Sequence, residues 1–375
     1  MKLIRFAPLV CVAALLLSVP ALAEEPPVVS AASYVLMDAD SGRVLSERNC
    51  DEPRLIASTT KIMTALLVLE RCDPDAVVEI DPAWTGIEGS TMYLASGQVM
   101  TVRDLLYGLM LASGNDAAVA LACITAGDVD AFADLMNERA AELGCRNTHF
   151  ENPNGLDGEE HYASARDLAL ITREAIKNPE FRRIVSTTSA TVGELTYTNH
   201  NRLLRECEGV FGVKTGYTEA AGRTLVTCCE RDGITLICVT LTDPDDWLDH
   251  AAMYDWAYDE YVLDDVVQQG SGWTLPVIGG VTDSVTALAE HPLPVLHREG
   301  ESVSVLVRLP SFVYADVLRG DNAGSVTAFV DGTEVASAAL IYGETVEREC
   351  GQTRDILHQI LSLPGLAERN IYALT

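Results

Sequence analysis

Lysine is nearly missing from this sequence: four occur in 375 residues, and the other basic positions are arginine. Positive charge as a whole is short, with 26 Lys and Arg against 55 Asp and Glu and a formal net charge of −29. Nucleic-acid binding needs Lys and Arg to neutralise phosphates, so no nucleic-acid partner is expected. The acid excess reads instead as a solvated surface. The seven histidines contain no HExxH and no other tight metal spacing, so no metal is expected and they read as structural or surface residues. Long internal repeats and low-complexity tracts are also absent. An apolar fraction of 48% is ample for a packed core and argues against a disordered or collagen-like chain.

The first residues are arranged differently from the rest. Lys2 and Arg5 accompany an apolar run from Phe6 to Val19, and Ala21-Leu22-Ala23 precedes Glu24. This is the layout of a signal peptide cleaved after Ala23, which implies export to the cell envelope or beyond. A membrane anchor competes with that reading, but Pro8 and Pro20 interrupt the run and it is short for a span. Cleavage leaves nine cysteines: Cys50, Cys72, Cys123, Cys145, Cys207, Cys228, Cys229, Cys238 and Cys350. An odd number cannot all pair internally, and several lie in apolar stretches, so mostly free, buried thiols are expected. Cys228 and Cys229 are adjacent on a strand, so they point to opposite faces and do not share a metal.

Two β-prone runs, 34–37 and 44–46, flank a turn-forming Asp-Ala-Asp-Ser-Gly and predict a hairpin. Apolar residues at helical spacing predict helices over 58–69, 102–111, 116–122, 129–143 and 163–176. Strands are expected at 224–229 and 234–241, joined by Arg231-Asp232-Gly233, followed by a helix over 245–258. This order predicts an α+β fold, an antiparallel sheet flanked by helices with a mainly helical insertion between its first and later strands. Past about Val262, short β-prone runs separated by Gly and Asp turns predict a small all-β C-terminal domain. The expected division is a signal peptide over 1–23, a principal domain over 24–262, a β-rich domain over 263–348 and a helix or tail over 349–375. In that tail Ile356, Leu357, Ile360 and Leu361 form an apolar stripe. Docking on the β domain is its first reading, because a membrane-surface helix usually carries many Lys and Arg; peripheral membrane contact is the alternative.

Three short motifs carry the chemistry. Ser58-Thr59-Thr60-Lys61 opens a predicted helix, and the spacing of three puts hydroxyl and amine on one face. A hydroxyl becomes a useful nucleophile when a base removes its proton, and an amine serves once desolvation or a second cation lowers its pKa. Ser113-Gly114-Asn115 falls in the break between two predicted helices, where a hydroxyl and an amide can project into a cavity; taken alone, the triplet reads first as a helix cap. Lys214-Thr215-Gly216 precedes the predicted hairpin and suits a strand lining a cleft, with glycine leaving room for a substrate to approach the backbone. Two of the three lysines outside the leader therefore lie in these motifs.

In this order the three motifs resemble those of the penicillin-binding proteins and serine β-lactamases. The flanking residues narrow the resemblance to the low-molecular-mass D-alanyl-D-alanine carboxypeptidases: Ala57 to Ala65, Asn154-Gly155-Leu156-Asp157, Ser164-Ala165-Arg166-Asp167, and Lys214 to Thr218 with Ala221-Gly222. The resemblance covers roughly 31–261 and, more loosely, the β domain. It implies a β-lactamase/transpeptidase-like fold and removal of the terminal D-Ala from peptidoglycan stem peptides through an acyl-enzyme, with β-lactam antibiotics as covalent inhibitors and no cofactor.

The same resemblance implies a role for each residue. Ser58 would be the nucleophile, Lys61 its base and Ser113 a proton relay to the leaving amine. The backbone N–H groups of Ser58 and Tyr217 would form the oxyanion hole. Asn115 would hold the substrate backbone, and Lys214 and Thr215 its terminal carboxylate, with Gly216 in the same strand. Many relatives add an arginine after the strand ending near Leu241; residues 242–250 contain none, and Arg202 is the expected substitute. A β-lactamase is the nearest rival, but the Glu-x-x-Leu-Asn setting of a class A enzyme is absent. A catalytically silent wall-binding homologue is the second, and the intact serine and lysine positions weigh against it.

Overall fold

The computed structural model describes residues 24–349 and the backbone of 369–374. The expected leader over 1–23 and the apolar stripe over 351–363 lie outside the described residues. The hairpin comes first, as β1 (Ser33–Asp38) and β2 (Val44–Arg48). A 3₁₀ turn at Ala57–Thr60 then runs into α1 (Lys61–Arg71). A short ribbon, β3 (Val77–Glu79) and β4 (Val99–Thr101), precedes α2 (Val102–Leu111), α3 (Asn115–Ala126) and α4 (Val129–Glu142). Next come α5 (Ala165–Ala175), α6 (Pro179–Val185), a second ribbon of β5 (Ser189–Val192) and β6 (Leu195–Thr198), and the single turn α7 (Leu203–Glu206). The principal unit closes with β7 (Val210–Thr218), β8 (Gly222–Arg231), β9 (Ile234–Leu241) and α8 (Asp246–Glu260).

Local chemistry accounts for several helix starts. Thr101 and Asp104 form a reciprocal capping box on α2, and Ser164 caps α5 through the Asp167 N–H. Asn178 caps α6, where Pro179 fills the first position and removes a donor that would have no partner.

Five strands form one antiparallel sheet in the order β2-β1-β9-β8-β7, so the opening hairpin pairs with the last strand and the helical residues are the insertion between them. Alternation divides the sheet into two faces. Val226 and Cys228 of β8, with Ile237 and Val239 of β9, pack under the inserted helices. Leu225 and Cys229, with Leu236 and Cys238, pack on the other side against Met253, Tyr254 and Ala257 of α8. The adjacent cysteines do face opposite ways, and the eight cysteines among the described residues are all unpaired. His250, fully buried, bridges the Thr227 and Thr240 hydroxyls beneath α8, and burial pushes its pKa down to about 3, so it is a neutral structural residue.

Nine strands follow: β10 (Tyr261–Val267), β11 (Gly272–Ile278), β12 (Ser284–Ala289), β13 (Leu293–Arg298), β14 (Val303–Leu309), β15 (Val313–Tyr314), β16 (Asn322–Val330), β17 (Thr333–Tyr342) and β18 (Arg369–Leu374). A seven-stranded sheet in the order β15-β11-β12-β17-β16-β14-β18 packs over a core of its own with the β10-β13 pair. The fold is thus the expected α+β unit followed by an all-β module. The helix-or-tail reading of 349–375 needs correction at its end, because Arg369–Leu374 pairs antiparallel with β14. Leu296 enters the α8-side core and Arg43 pairs with Glu301, which ties the module to the principal unit.

Candidate active site

Ser58 lies in the 3₁₀ turn and Lys61 is the first residue of α1. The expected continuous helix is therefore tighter at its start, and 3₁₀ geometry eclipses residues three apart. Lys61 Nζ is 2.9 Å from Ser58 Oγ, 2.7 Å from Asn115 Oδ1 and 2.5 Å from the Asn154 carbonyl. The last two partners only accept hydrogen bonds, so they hold two N–H groups of the amine. In the neutral amine the remaining position is a lone pair directed at the Ser58 hydroxyl. Lys61 has no exposed surface; burial first, and then the charge of Lys214, hold its pKa well below the usual lysine range, against an opposing pull from Asp116.

The surrounding turn is fixed by close approach. Gly155 has φ +86°, and a Cβ there would lie 1.9 Å from the Ala57 carbonyl oxygen. His161 lends support from behind: its Nδ1 accepts from the Glu151 N–H, so its Nε2–H donates to Thr60 Oγ1, which donates to the Ala57 carbonyl. Burial lowers the His161 pKa to about 4, consistent with this neutral tautomer. Gly216 has a part beyond the one expected. Its missing side chain makes room for the nucleophile's own turn, since a Cβ would sit 3.0 Å from Ser58 N and 2.4 Å from Thr224 Oγ1.

Ser58, Ser113, Thr215, Gly216 and Tyr217 line one cavity of about 360 Å³, with Ser90, His200, Arg223, Asp246 and Trp247. Ser113 occupies the left-handed region at φ +59°. Asn115 starts α3 and does not cap it; its Nδ2 donates to the Glu88 carbonyl while its oxygen holds Lys61. Buried Asp116 accepts from Thr91 Oγ1, Met92 N and Leu94 N, fastening the loop that carries Ser90. Lys214 is buried behind the wall, Nζ 2.7 Å from the Thr215 carbonyl, and burial brings its pKa down to about 7. A larger cleft of about 650 Å³ lies away from Ser58, between the sheet edge near Asp38 and the β module.

Arg202 is not brought to the cavity. It pairs with Glu206 at 3.1 Å and lies over the Trp247 ring without lining the cavity itself. Arg223, which the motifs do not flag, lines the cavity instead. The missed signal was hairpin register: Arg223 faces Tyr217 across β7 and β8, so the two side chains stand on one face. Among the described residues no cluster of His, Cys, Asp or Glu could hold a metal, and no helix is long and apolar enough to cross a membrane.

The family model for D-alanyl-D-alanine carboxypeptidases matches residues 21–245, and that for the C-terminal domain of penicillin-binding protein 5 matches 261–348. D-alanyl-D-alanine carboxypeptidase DacF of Bacillus subtilis is 31% identical over 335 residues, covering 85% of this chain and 86% of the relative. DacA of Escherichia coli is 39% identical over 228 residues, 57% of each chain. Among solved structures, penicillin-binding protein 5 from Haemophilus influenzae superposes with a TM-score of 0.73 at 30% identity, covering 87% of this chain and all of that one. A peptidoglycan synthesis regulatory factor, PBP3 of Streptococcus pneumoniae, gives 0.77 at 26% identity, covering 85% of this chain. Since the first model spans more than half of the sequence, the chain belongs to the D-alanyl-D-alanine carboxypeptidase family of serine peptidases.

Proposed function

We propose that this protein is a serine D-alanyl-D-alanine carboxypeptidase that removes the terminal D-Ala from peptidoglycan stem pentapeptides and is acylated by β-lactams. The carrying observation is the buried, desolvated amine of Lys61, two of its N–H groups held by carbonyl oxygens and its third position on Ser58 Oγ. Ser58 Oγ attacks the carbonyl carbon of the penultimate D-Ala as its proton passes to Lys61. The C–N bond then breaks, and Ser113 relays that proton from Lys61 to the departing amine nitrogen, which leaves Lys61 neutral again. Water, deprotonated by Lys61, attacks the ester and returns Ser58 to its hydroxyl form. The N–H groups of Ser58 and Tyr217 stabilise the oxyanion, and the second Nδ2 proton of Asn115 remains for the substrate backbone. Lys214 and Thr215 contribute charge and a hydroxyl at the carboxylate end. β7 is the outer strand of its sheet, so an extended peptide can lie along its free edge.

We further assign export with cleavage after Ala23, a role in the cell envelope and in cell shape, a catalytic domain over 24–262 and a β-rich domain over 263–348. Peripheral membrane contact would belong to the terminal segment. The direct test is intact-mass spectrometry after mixing with benzylpenicillin, together with an assay of D-Ala release from a D-Ala-D-Ala peptide. A persistent one-to-one adduct is expected, lost in Ser58→Ala, with D-Ala release falling about 10²–10⁴-fold in Lys61→Met. Rapid adduct turnover would point to a β-lactamase; no adduct on folded protein would point to a silent wall-binding homologue.

A further inference from the structure

A carboxypeptidase must distinguish a free C-terminus from an amide or ester, and a desolvated cation that forks onto a carboxylate does this best. The cations near the cavity are not equally available. Lys214 is buried and spends an N–H on the Thr215 carbonyl, and Arg202 pairs with Glu206 and does not line the cavity. His200 lines the cavity, but burial and the nearby Lys214 lower its pKa, which leaves it neutral near pH 7. Residues 242–250 supply no Lys or Arg.

Arg223 also pairs with a carboxylate, but of the two arginines beside Trp247 it is the one that lines the cavity. It lines the same cavity as Ser58, on the strand beside Tyr217, and its backbone carbonyl accepts from the Asp243 N–H where β9 ends. Its guanidinium carbon lies 5.3 Å from the Trp247 ring centroid, and Nη2 donates to Asp246 at 2.9 Å. Asp246 is itself fixed, its side chain 3% exposed and its Oδ1 also accepting from the Trp247 N–H. The ring contact consumes no donor, so most of the five guanidinium N–H groups stay available. Nε is buried without a hydrogen-bond partner, so the open donors toward the cavity are those of the two terminal nitrogens.

We propose that Arg223 receives the terminal carboxylate of the substrate and sets the preference for a free C-terminus, with Asp246 and Trp247 as positioning residues that hold the guanidinium toward the cavity. The proposal rests on the carboxypeptidase reading above and assigns the selectivity of that same site. The substrate class it selects is a D-peptide, or a β-lactam, bearing an ionised carboxylate next to the scissile bond.

The test compares acylation of Ser58 by benzylpenicillin and by its methyl ester, followed as adduct mass against time. Both rates come from one protein sample, so their ratio does not depend on the folded fraction. Arg223→Ala should slow acylation by the free acid about 10–100-fold, as expected for losing hydrogen bonds to a charged group, while the ester changes little and the acid-over-ester preference collapses. Arg223→Lys should keep part of the preference. If Arg223→Ala does not fold, Arg223→Gln, which can still donate to Asp246, carries the same comparison. An unchanged preference in the variants would overturn the assignment and leave carboxylate recognition with Lys214 and Thr215. Absence of any adduct in the unsubstituted protein would sink the carboxypeptidase reading itself, a result distinct from an unchanged ratio.

Discussion

At the scale of single residues, the site depends on two buried amines doing opposite things. Lys61 must be neutral to accept a proton, and burial with the charge of Lys214 pushes its pKa in that direction. Lys214, brought down to about 7 by burial, attracts a carboxylate only when protonated. Lowering the pH protonates both, which strengthens substrate binding and disables the base; raising it does the reverse. In steady-state kinetics from about pH 5 to 9, kcat for D-Ala release is therefore expected to fall on the acid side and KM to rise above about pH 7. Lys214→Arg, charged throughout, should flatten the KM limb. A KM that stays level in the unsubstituted protein would show that Lys214 does not contribute its charge to binding.

At the scale of elements, the nucleophile is held by turns more than by helices. The Ala57–Thr60 turn is pinned from two sides, by Gly155 against the Ala57 carbonyl and by Gly216 against Ser58 N. Gly155→Ala places a methyl group 1.9 Å from that oxygen in a left-handed backbone, so the turn has to move. The variant is expected to lose at least about 1–3 kcal/mol of stability and to form no penicillin adduct at the normal rate; thermal melting and intact mass check the two parts. This also marks where the sequence was readable. Bounds came out well for α2 and β9, whose apolar runs begin at the Thr101 cap and just after the Arg231-Asp232-Gly233 turn, and the three motifs gave the residues around Ser58. Less was legible where no period exists. The 3₁₀ turn has the composition of a helix start, and β10 is exposed along most of its length, so neither carries an alternating pattern. Arg223 escaped because its place depends on hairpin register, and Arg202 entered through the resemblance, as the substitute for an absent arginine, although Glu206, one helical turn on, pairs with it.

At the scale of the whole molecule, the residues around Ser58 all come from the principal unit, whereas the β module contributes Leu296 to the α8-side core and Glu301 to Arg43. A chain ending near residue 262 is therefore expected to acylate with penicillin at close to the full-length rate but to melt at lower temperature; a large loss of acylation in a folded fragment would assign the module a part in catalysis. The sheet that joins both halves of the principal unit has a further use. Cys228, Cys229 and Cys238 have no exposed surface on the two interior strands β8 and β9, and burial raises all three thiol pKa values, Cys229 to about 11. A thiol reagent can reach them only when the layers packed on the two faces of the sheet lift away. The protein thus carries three built-in clocks of its own opening, and their labelling should quicken together under denaturant, on both faces of the sheet at once.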